Sequence, residues 1–287
     1  MELGVDAPEH TGALTLPDGR TLAWSSWGDP GGTPVLLCPG AATGRSLGFG
    51  THLLAGLGVH LVSADRPGLG GSDPAPGRTA ADFAADARAL ADHLGIGRPA
   101  VVGNSQGAPF ALACAATGAA RALALVSPAD EIAHPALADL LDPGARALRD
   151  AVAADPEHAG RDLAALGPDG MWDLVTAHAP DRDAAVYRTP VFEAAYRRAL
   201  AEGFAGDGAG YARDTVLASG RWDPAPERVA VPTDVWYGEL DTFHSPDRAG
   251  LLARRVPGAR RHLLPGEGGS LLWTRAGDVL RTLLARP

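Results

Sequence analysis

Six short apolar runs, each bounded by Gly, Pro or Asp and alternating with helical patterns, constrain this chain more than any other feature. They are Val35–Cys38, Val59–Ser63, Ala100–Gly103, Ala122–Ser127, Val235–Gly238 and His262–Leu264. Short runs that are apolar throughout suit strands covered on both faces, and alternation with helices is the pattern of a parallel sheet. The expected fold class is therefore α/β, with a doubly wound, mostly parallel sheet. A hairpin precedes the runs, with Asp18-Gly19 as the turn between Ala13–Leu16 and Thr21–Trp27. Between the second and third runs, Thr79 caps a helix with Asp82 three residues on; Phe83, Ala87, Leu90 and Leu94 repeat at helical spacing until Gly95 ends it.

The alternation stops between about Pro128 and Val229, where amphipathic pieces such as Pro135–Leu141, Gly144–Ala153 and Val191–Phe204 take over. This divides the chain into a core of residues 1–127 and 230–287 and a helical lid inserted at 128–229. No repeat of fixed period supports a solenoid. Beyond the insertion, Ser245-Pro246 starts a helix over Asp247–Arg255 that turns Ala249, Leu252 and Ala253 inward. Leu271, Leu272, Val279, Leu280, Leu283 and Leu284 read as the core face of one last helix.

At 287 residues and 46% hydrophobic content the chain can bury a sizeable core. A net charge of -9 argues against general affinity for nucleic acid or anionic membrane surfaces. Cys38 and Cys114 provide no disulfide framework and stand in no metal-ligand pattern, so neither a metal nor another cofactor is expected. The N-terminus lacks a basic start followed by an apolar run, and no apolar stretch is long enough to span a bilayer. The reading is a soluble, cytoplasmic protein, with its oligomeric state open.

Chemistry enters at Gly103-Asn104-Ser105-Gln106-Gly107, a G-x-S-x-G placed at the end of a strand and just before the apolar helical run Phe110-Ala111-Leu112-Ala113. That context defines a nucleophile elbow, where small residues let a serine stand on a strained strand-to-helix turn. The helix N-terminus behind it stabilises developing negative charge. Alone, the motif also fits an ordinary Gly-rich turn with a solvent-facing serine. Two further motifs carry a specific resemblance: Pro39-Gly40-Ala41 after the first run, and Asp65-Arg66-Pro67-Gly68-Leu69-Gly70-Gly71-Ser72-Asp73 after the second. In this order they resemble the loops of the α/β-hydrolase superfamily, serine-type and lid-containing. The resemblance implies an oxyanion hole from the backbone N–H groups of Ala41 and Gln106, with Ser105 as nucleophile. Pro39 stands where the family usually has His, which leaves both donors in place.

Val235-Trp236-Tyr237-Gly238-Glu239-Leu240-Asp241 resembles the family's Gly-x-x-Asp strand and makes Asp241 the orienting acid, with Asp130 as a lower-ranked substitute. Pro265-Gly266-Glu267-Gly268-Gly269 aligns without gaps to the family's Pro-Gly-x-Gly-His loop, so Gly269 occupies the position of the catalytic His. Loss of that His costs on the order of a millionfold in rate, and an unactivated serine is a poor nucleophile. Three explanations stand: a member doing other chemistry, a base supplied elsewhere, or a histidine deliberately replaced. His244, on Asp241-Thr242-Phe243-His244, is the candidate substitute base; the alternative is a solvated loop histidine. His262 reads as packing, His134, His158 and His178 as lid surface, and Trp172, Phe192 and Tyr196 as candidates for a substrate pocket. The implied activity is hydrolysis of a small ester, lactone, thioester or amide, impaired by the missing His. The alternatives are a cyclase, lyase or isomerase using the same pocket, or a silent small-molecule binder. A vacancy shaped like an imidazole is expected beside Asp241, which Gly269→His would fill.

Overall fold

The computed structural model describes residues 2–177 and 179–286. An eight-stranded sheet runs in the order β1-β2-β4-β3-β5-β6-β7-β8. Its strands are β1 (His10–Thr15), β2 (Thr21–Trp27), β3 (Thr33–Cys38), β4 (Val59–Ala64), β5 (Ala100–Asn104), β6 (Ala122–Val126), β7 (Thr233–Gly238) and β8 (Arg260–Leu264). The hairpin pairs Ala13 with Ala23 around the Asp18-Gly19 turn, and β2 is antiparallel to β4. All other neighbours are parallel. The expected sheet and all six apolar runs are therefore present.

Strand periodicity divides the core in two. Leu36, Val101, Leu123 and Val235 face one side, with α2 (Ala80–Leu94), α3 (Ala108–Ala116) and α10 (Gly250–Arg255). Val35, Val102, Ala124 and Trp236, each displaced by one residue, face the other side with α1 (Thr51–Leu57), α11 (Leu271–Thr274) and α12 (Ala276–Leu284). The inner strands are thus apolar on both faces because both faces are covered, whereas the edge strands β1 and β8 leave residues exposed. Helix α2 begins with both bonds of the Thr79–Asp82 capping box and ends at Gly95 in the left-handed conformation.

Among the described residues, six α-helices lie between β6 and β7: α4 (Pro143–Ala154), α5 (Pro156–Ala164), α6 (Gly167–Ala177), α7 (Asp181–Tyr187), α8 (Pro190–Gly203) and α9 (Ala209–Ser219). Helix α7 is tied to the loop after β8 by Arg182, which donates to the buried Glu267 carboxylate. Among the described residues no helix is long and apolar enough to cross a membrane.

Three helix expectations need correction. The Pro135–Leu141 piece is a single 3-10 turn at Pro135–Leu137. Asp142 precedes Pro143 in an extended conformation and accepts from the N–H groups of Gly144 and Ala145, which starts α4 and forbids a continuous helix through it. The helix expected from Asp247 begins only at Gly250, because Arg248 and Ala249 both have φ of 58°. The Asp247 carboxylate caps it by accepting from Gly250 and Leu251. The last helix is interrupted at Arg275, whose φ of -125° and ψ of 23° divide it into α11 and α12.

Candidate active site

The C-terminal ends of the parallel strands converge on a cavity of about 670 Å³ lined by Ala41, Ser105, Gln106, Asp241, His244 and Gly269, among others. Crevices outside the carboxyl ends of parallel strands are where open α/β sheets bind ligands. Ser105 leaves β5 with φ of 50°, a left-handed conformation that is unusual for serine. The flanking glycines are dictated by space. A Cβ on Gly107 would lie 2.0 Å from the Cys38 carbonyl oxygen, and one on Gly103 would lie 2.6 Å from Ala111 Cβ. The loop after β3 passes just in front: a Cβ on Gly40 would lie 3.4 Å from Ser105 Cβ. Among the described residues, neither the Ala41 nor the Gln106 N–H is committed to another acceptor, and Ser105 Oγ makes no hydrogen bond.

A second part of the wall is made by the loop after β7. Asp241 is 2% exposed, and its Oδ1 accepts the backbone N–H groups of Phe243, at 3.0 Å, and of His244, at 3.2 Å. This local Asx turn folds the chain back, so that His244 Nδ1 meets the other oxygen of the same carboxylate at 2.8 Å. The His244 carbonyl accepts from the Asp130 N–H, which fixes the backbone on that side. Burial opposes charge on Asp241, but the His244 ring and the two backbone donors together hold its carboxyl below the ordinary value. Burial likewise opposes charge on His244; the charge of Asp241, its hydrogen bond and the charge of Asp183 outweigh that and raise the imidazole above its ordinary value. An ionised Asp241 can only accept, so Nδ1 carries the proton in the neutral ring and Nε2 keeps a lone pair.

No vacancy exists beside Asp241. A Cβ on Gly269 would lie 2.9 Å from His244 Cε1, 3.1 Å from its Nδ1 and 3.4 Å from Asp241 Oδ2, so the His244 ring already fills the space beside Gly269. The expectation of an imidazole-shaped hole is overturned, and a side chain at 269 would require the His244 ring to shift. The Gly269 backbone is held from α7: Asp183 Oδ2 accepts from Gly269 N at 2.7 Å, and Oδ1 accepts from Ser270 N and Ser270 Oγ. Asp183 carried no sequence signal, because its partners lie far away in the chain.

The remaining candidates separate. Asp130 does not reach the imidazole: its carboxylate accepts from Ser245 Oγ and from the Glu131 N–H, and burial pushes it up to about 6. Tyr196 lines the cavity, whereas Trp172 and Phe192 are absent from its wall and pack behind it. Trp172 lies edge-on to Tyr196 with Arg197 over its ring, and Phe192 meets Trp273 with centroids 4.8 Å apart. These two candidates for the substrate pocket pack as core instead, as aromatics on amphipathic helices most often do. His262 stacks on Trp236 and bonds Asp234. His134 accepts from Ala136 N, His158 lies exposed near Asp162, and His178 lies outside the described residues. Among the described residues no three His, Cys, Asp or Glu side chains group as a metal site.

A sequence model of the α/β-hydrolase fold matches residues 33–276, and with the sheet order and strand-end cavity this places the chain in the α/β-hydrolase family. The chain is 33% identical over 129 residues to a proline iminopeptidase of Neisseria gonorrhoeae, a match that covers 42% of this chain and 40% of that protein. The matched stretch thus spans less than half the length of this curated relative. Among solved structures it is similar to the enol-lactonase from Burkholderia xenovorans LB400, with a TM-score of 0.67, 21% identity, and coverage of 95% of this chain and 98% of that one. A thermophilic esterase from Thermogutta terrifontis gives a TM-score of 0.67 and 22% identity over 96% of this chain and 97% of that one. At these identities the two structures support the fold.

Proposed function

We propose that the chain is a serine hydrolase of small esters, lactones, thioesters or amides in which His244 takes the part that residue 269 plays elsewhere in the family. One observation carries this reading: the Nδ1 to Oδ2 bond of 2.8 Å between His244 and Asp241, made by a ring that fills the space over Gly269. Ser105 attacks the carbonyl carbon, His244 Nε2 takes its proton, and the tetrahedral oxyanion accepts from the Ala41 and Gln106 N–H groups. The same proton then goes to the leaving oxygen, sulfur or nitrogen, and water releases the acyl group by the reverse sequence. Before substrate binds, the serine–imidazole bond is commonly unmade, which agrees with the unpaired Ser105 Oγ.

The wall of the cavity disfavours an anionic substrate. Its carboxylates are Asp130, Asp142, Asp183 and Asp241, while no arginine is among the described lining residues and the chain contains no lysine. An anionic substrate group would be desolvated near like charges without a partner. Met171, Leu174, Val175, Tyr187 and Tyr196 supply much of the apolar surface and come from the segment between β6 and β7, which acts as the lid. The relatives named for esterase, lactonase and iminopeptidase action agree with acyl chemistry.

Intact-mass spectrometry during turnover of activated esters tests the reading. An acyl adduct is expected on the parent chain, none on Ser105→Ala, and adduct formation slowed by orders of magnitude on His244→Ala. Turnover without an adduct would point instead to non-hydrolytic chemistry, and binding without turnover to a silent binder.

A further inference from the structure

Behind the loop that carries Ala41 lies Arg66, which is 0% exposed. Its Nη1 donates to the Pro39 carbonyl at 2.8 Å, its Nη2 to the Gly40 carbonyl at 2.9 Å and its Nε to Asp214 Oδ2 at 2.6 Å. Asp214 is also fully buried and accepts from Arg78 Nη2 as well. Asp214 belongs to α9, and the next residue of that helix, Thr215, accepts from Gln106 Nε2 at 2.9 Å. One helix of the inserted segment therefore reaches both loops that carry the oxyanion-hole amides.

The consequence follows from peptide geometry. The unit joining Gly40 to Ala41 is planar and trans, so its C=O and N–H point in opposite directions. Holding the Gly40 oxygen from behind fixes where the Ala41 N–H points. A cationic donor on that carbonyl also polarises the amide and makes its N–H a stronger donor in a low-dielectric site. Two successive carbonyls call for a planar fork with several donors, which lysine does not have. The guanidinium carbon lies 4.9 Å from the Phe110 ring centroid, which confines the fork on another side. A buried ion pair alone is weak evidence for a contribution to stability, since desolvation offsets the attraction. Here the pair spends two donors on the loop that lines the reaction site.

We infer that Arg66 is a positioning residue for the oxyanion hole, held in place from the inserted segment by Asp214. The inference rests on the serine-hydrolase reading above. Its test compares the parent, Arg66→Lys, Arg66→Met and Ser105→Ala on an uncharged oxoester and the matching thionoester. Sulfur is a poor hydrogen-bond acceptor, so the thionoester draws little from the hole, and the oxo-to-thiono rate ratio reports how well the donors are aimed. Removing one oxyanion donor costs about 100-fold to 1,000-fold, and a misaimed donor should cost about 10-fold to 100-fold in kcat. Arg66→Lys keeps the charge beside Asp214 and is expected to fold, to hold KM within about threefold, and to lower the oxo-to-thiono ratio about tenfold. Arg66→Met should lower the ratio at least as far; should it fail to fold, Arg66→Lys decides alone. An unchanged kcat in Arg66→Lys, or equal losses on both esters, overturns the inference and leaves Arg66 a structural ion pair. Parent activity that survives Ser105→Ala overturns the serine-hydrolase reading itself, and the inference with it.

Discussion

The two walls of the cavity are built by different means. The wall of Ala41, Ser105 and Gln106 is backbone: two amides, a left-handed serine and glycines whose added Cβ atoms would collide with the Cys38 carbonyl or with Ala111. Such a wall has no substitutes, because the colliding atoms are backbone or tightly packed helix. The wall of Asp241, His244 and Gly269 is side chain. The His244 imidazole reaches Asp241 from the loop after β7 and lies where a Cβ on Gly269 would come within 2.9 Å of it. Backbone machinery fixes which residue number does the work; side-chain machinery fixes only where the atoms must be.

The largest test of that contrast is removal of either partner in the proposed relay. Ser105→Ala and His244→Ala should each lower kcat by about 10,000-fold to a millionfold, and the double variant should be little worse than either single one, since residues that act as a unit are not additive. Steady-state kinetics on an activated ester read this directly; a loss under tenfold in His244→Ala would break the comparison. Substrate charge comes next. Replacing an uncharged acyl terminus by a carboxylate of similar size should lower kcat/KM about 10-fold to 100-fold, or about 1.4–2.8 kcal/mol, while a preference for the anion would mean that the acidic lining is misread.

The pH profile should show a smaller but signed effect. Asp241 from the loop after β7 and Asp183 from α7 both raise the His244 imidazole against the opposing effect of burial. With the neutral ring as the proposed base, the acid limb of kcat/KM should lie above the ordinary histidine value of about 6.5. Asp241→Asn removes a negative charge and should move that limb downward, besides lowering the rate. Asp130→Asn should be the mildest change, with kcat within about threefold of the parent by the usual scale of substitutions that do not touch the reacting atoms. Its effect belongs to stability. Asp130 is raised by burial to about 6, so its protonated form favours the fold; that contribution is fully present below the ordinary carboxylate value and is lost as pH rises through about 6. Thermal melting of the parent should show that loss between about pH 4 and pH 7, and the Asn variant should not.

Much of the fold was legible because it is local. The apolar runs, the Asp18-Gly19 turn and the Thr79–Asp82 box each act within a few residues, and each is where the pattern put it. Helix ends were less legible: Pro143, and the positive φ of Arg248 and Ala249, shortened helices that apolar spacing alone extends. At the site, the G-x-S-x-G turn and the Gly-x-x-Asp strand could be read because their spacing is a packing requirement. The pairing of His244 with Asp241 was visible only as a short separation on a loop, and nothing in the sequence showed that Gly269 made space for the ring. Asp183 and Asp214 could not be read at all, since their partners lie on elements that meet only after the inserted segment folds against the core.

The most direct measurement exchanges the two positions. His244→Gly, Gly269→His and the double variant should be compared with the parent on one uncharged activated ester, with thermal melting to show that each is folded. If His244 is the base and stands in the space over Gly269, His244→Gly loses most activity for want of a base. Gly269→His gains nothing, because the resident ring already holds the place beside Asp241 and would have to shift to admit a second side chain. The double variant recovers Ser105-dependent turnover, because one imidazole again lies beside Asp241. Full activity in His244→Gly, or a gain in Gly269→His while His244 is still present, would contradict the account.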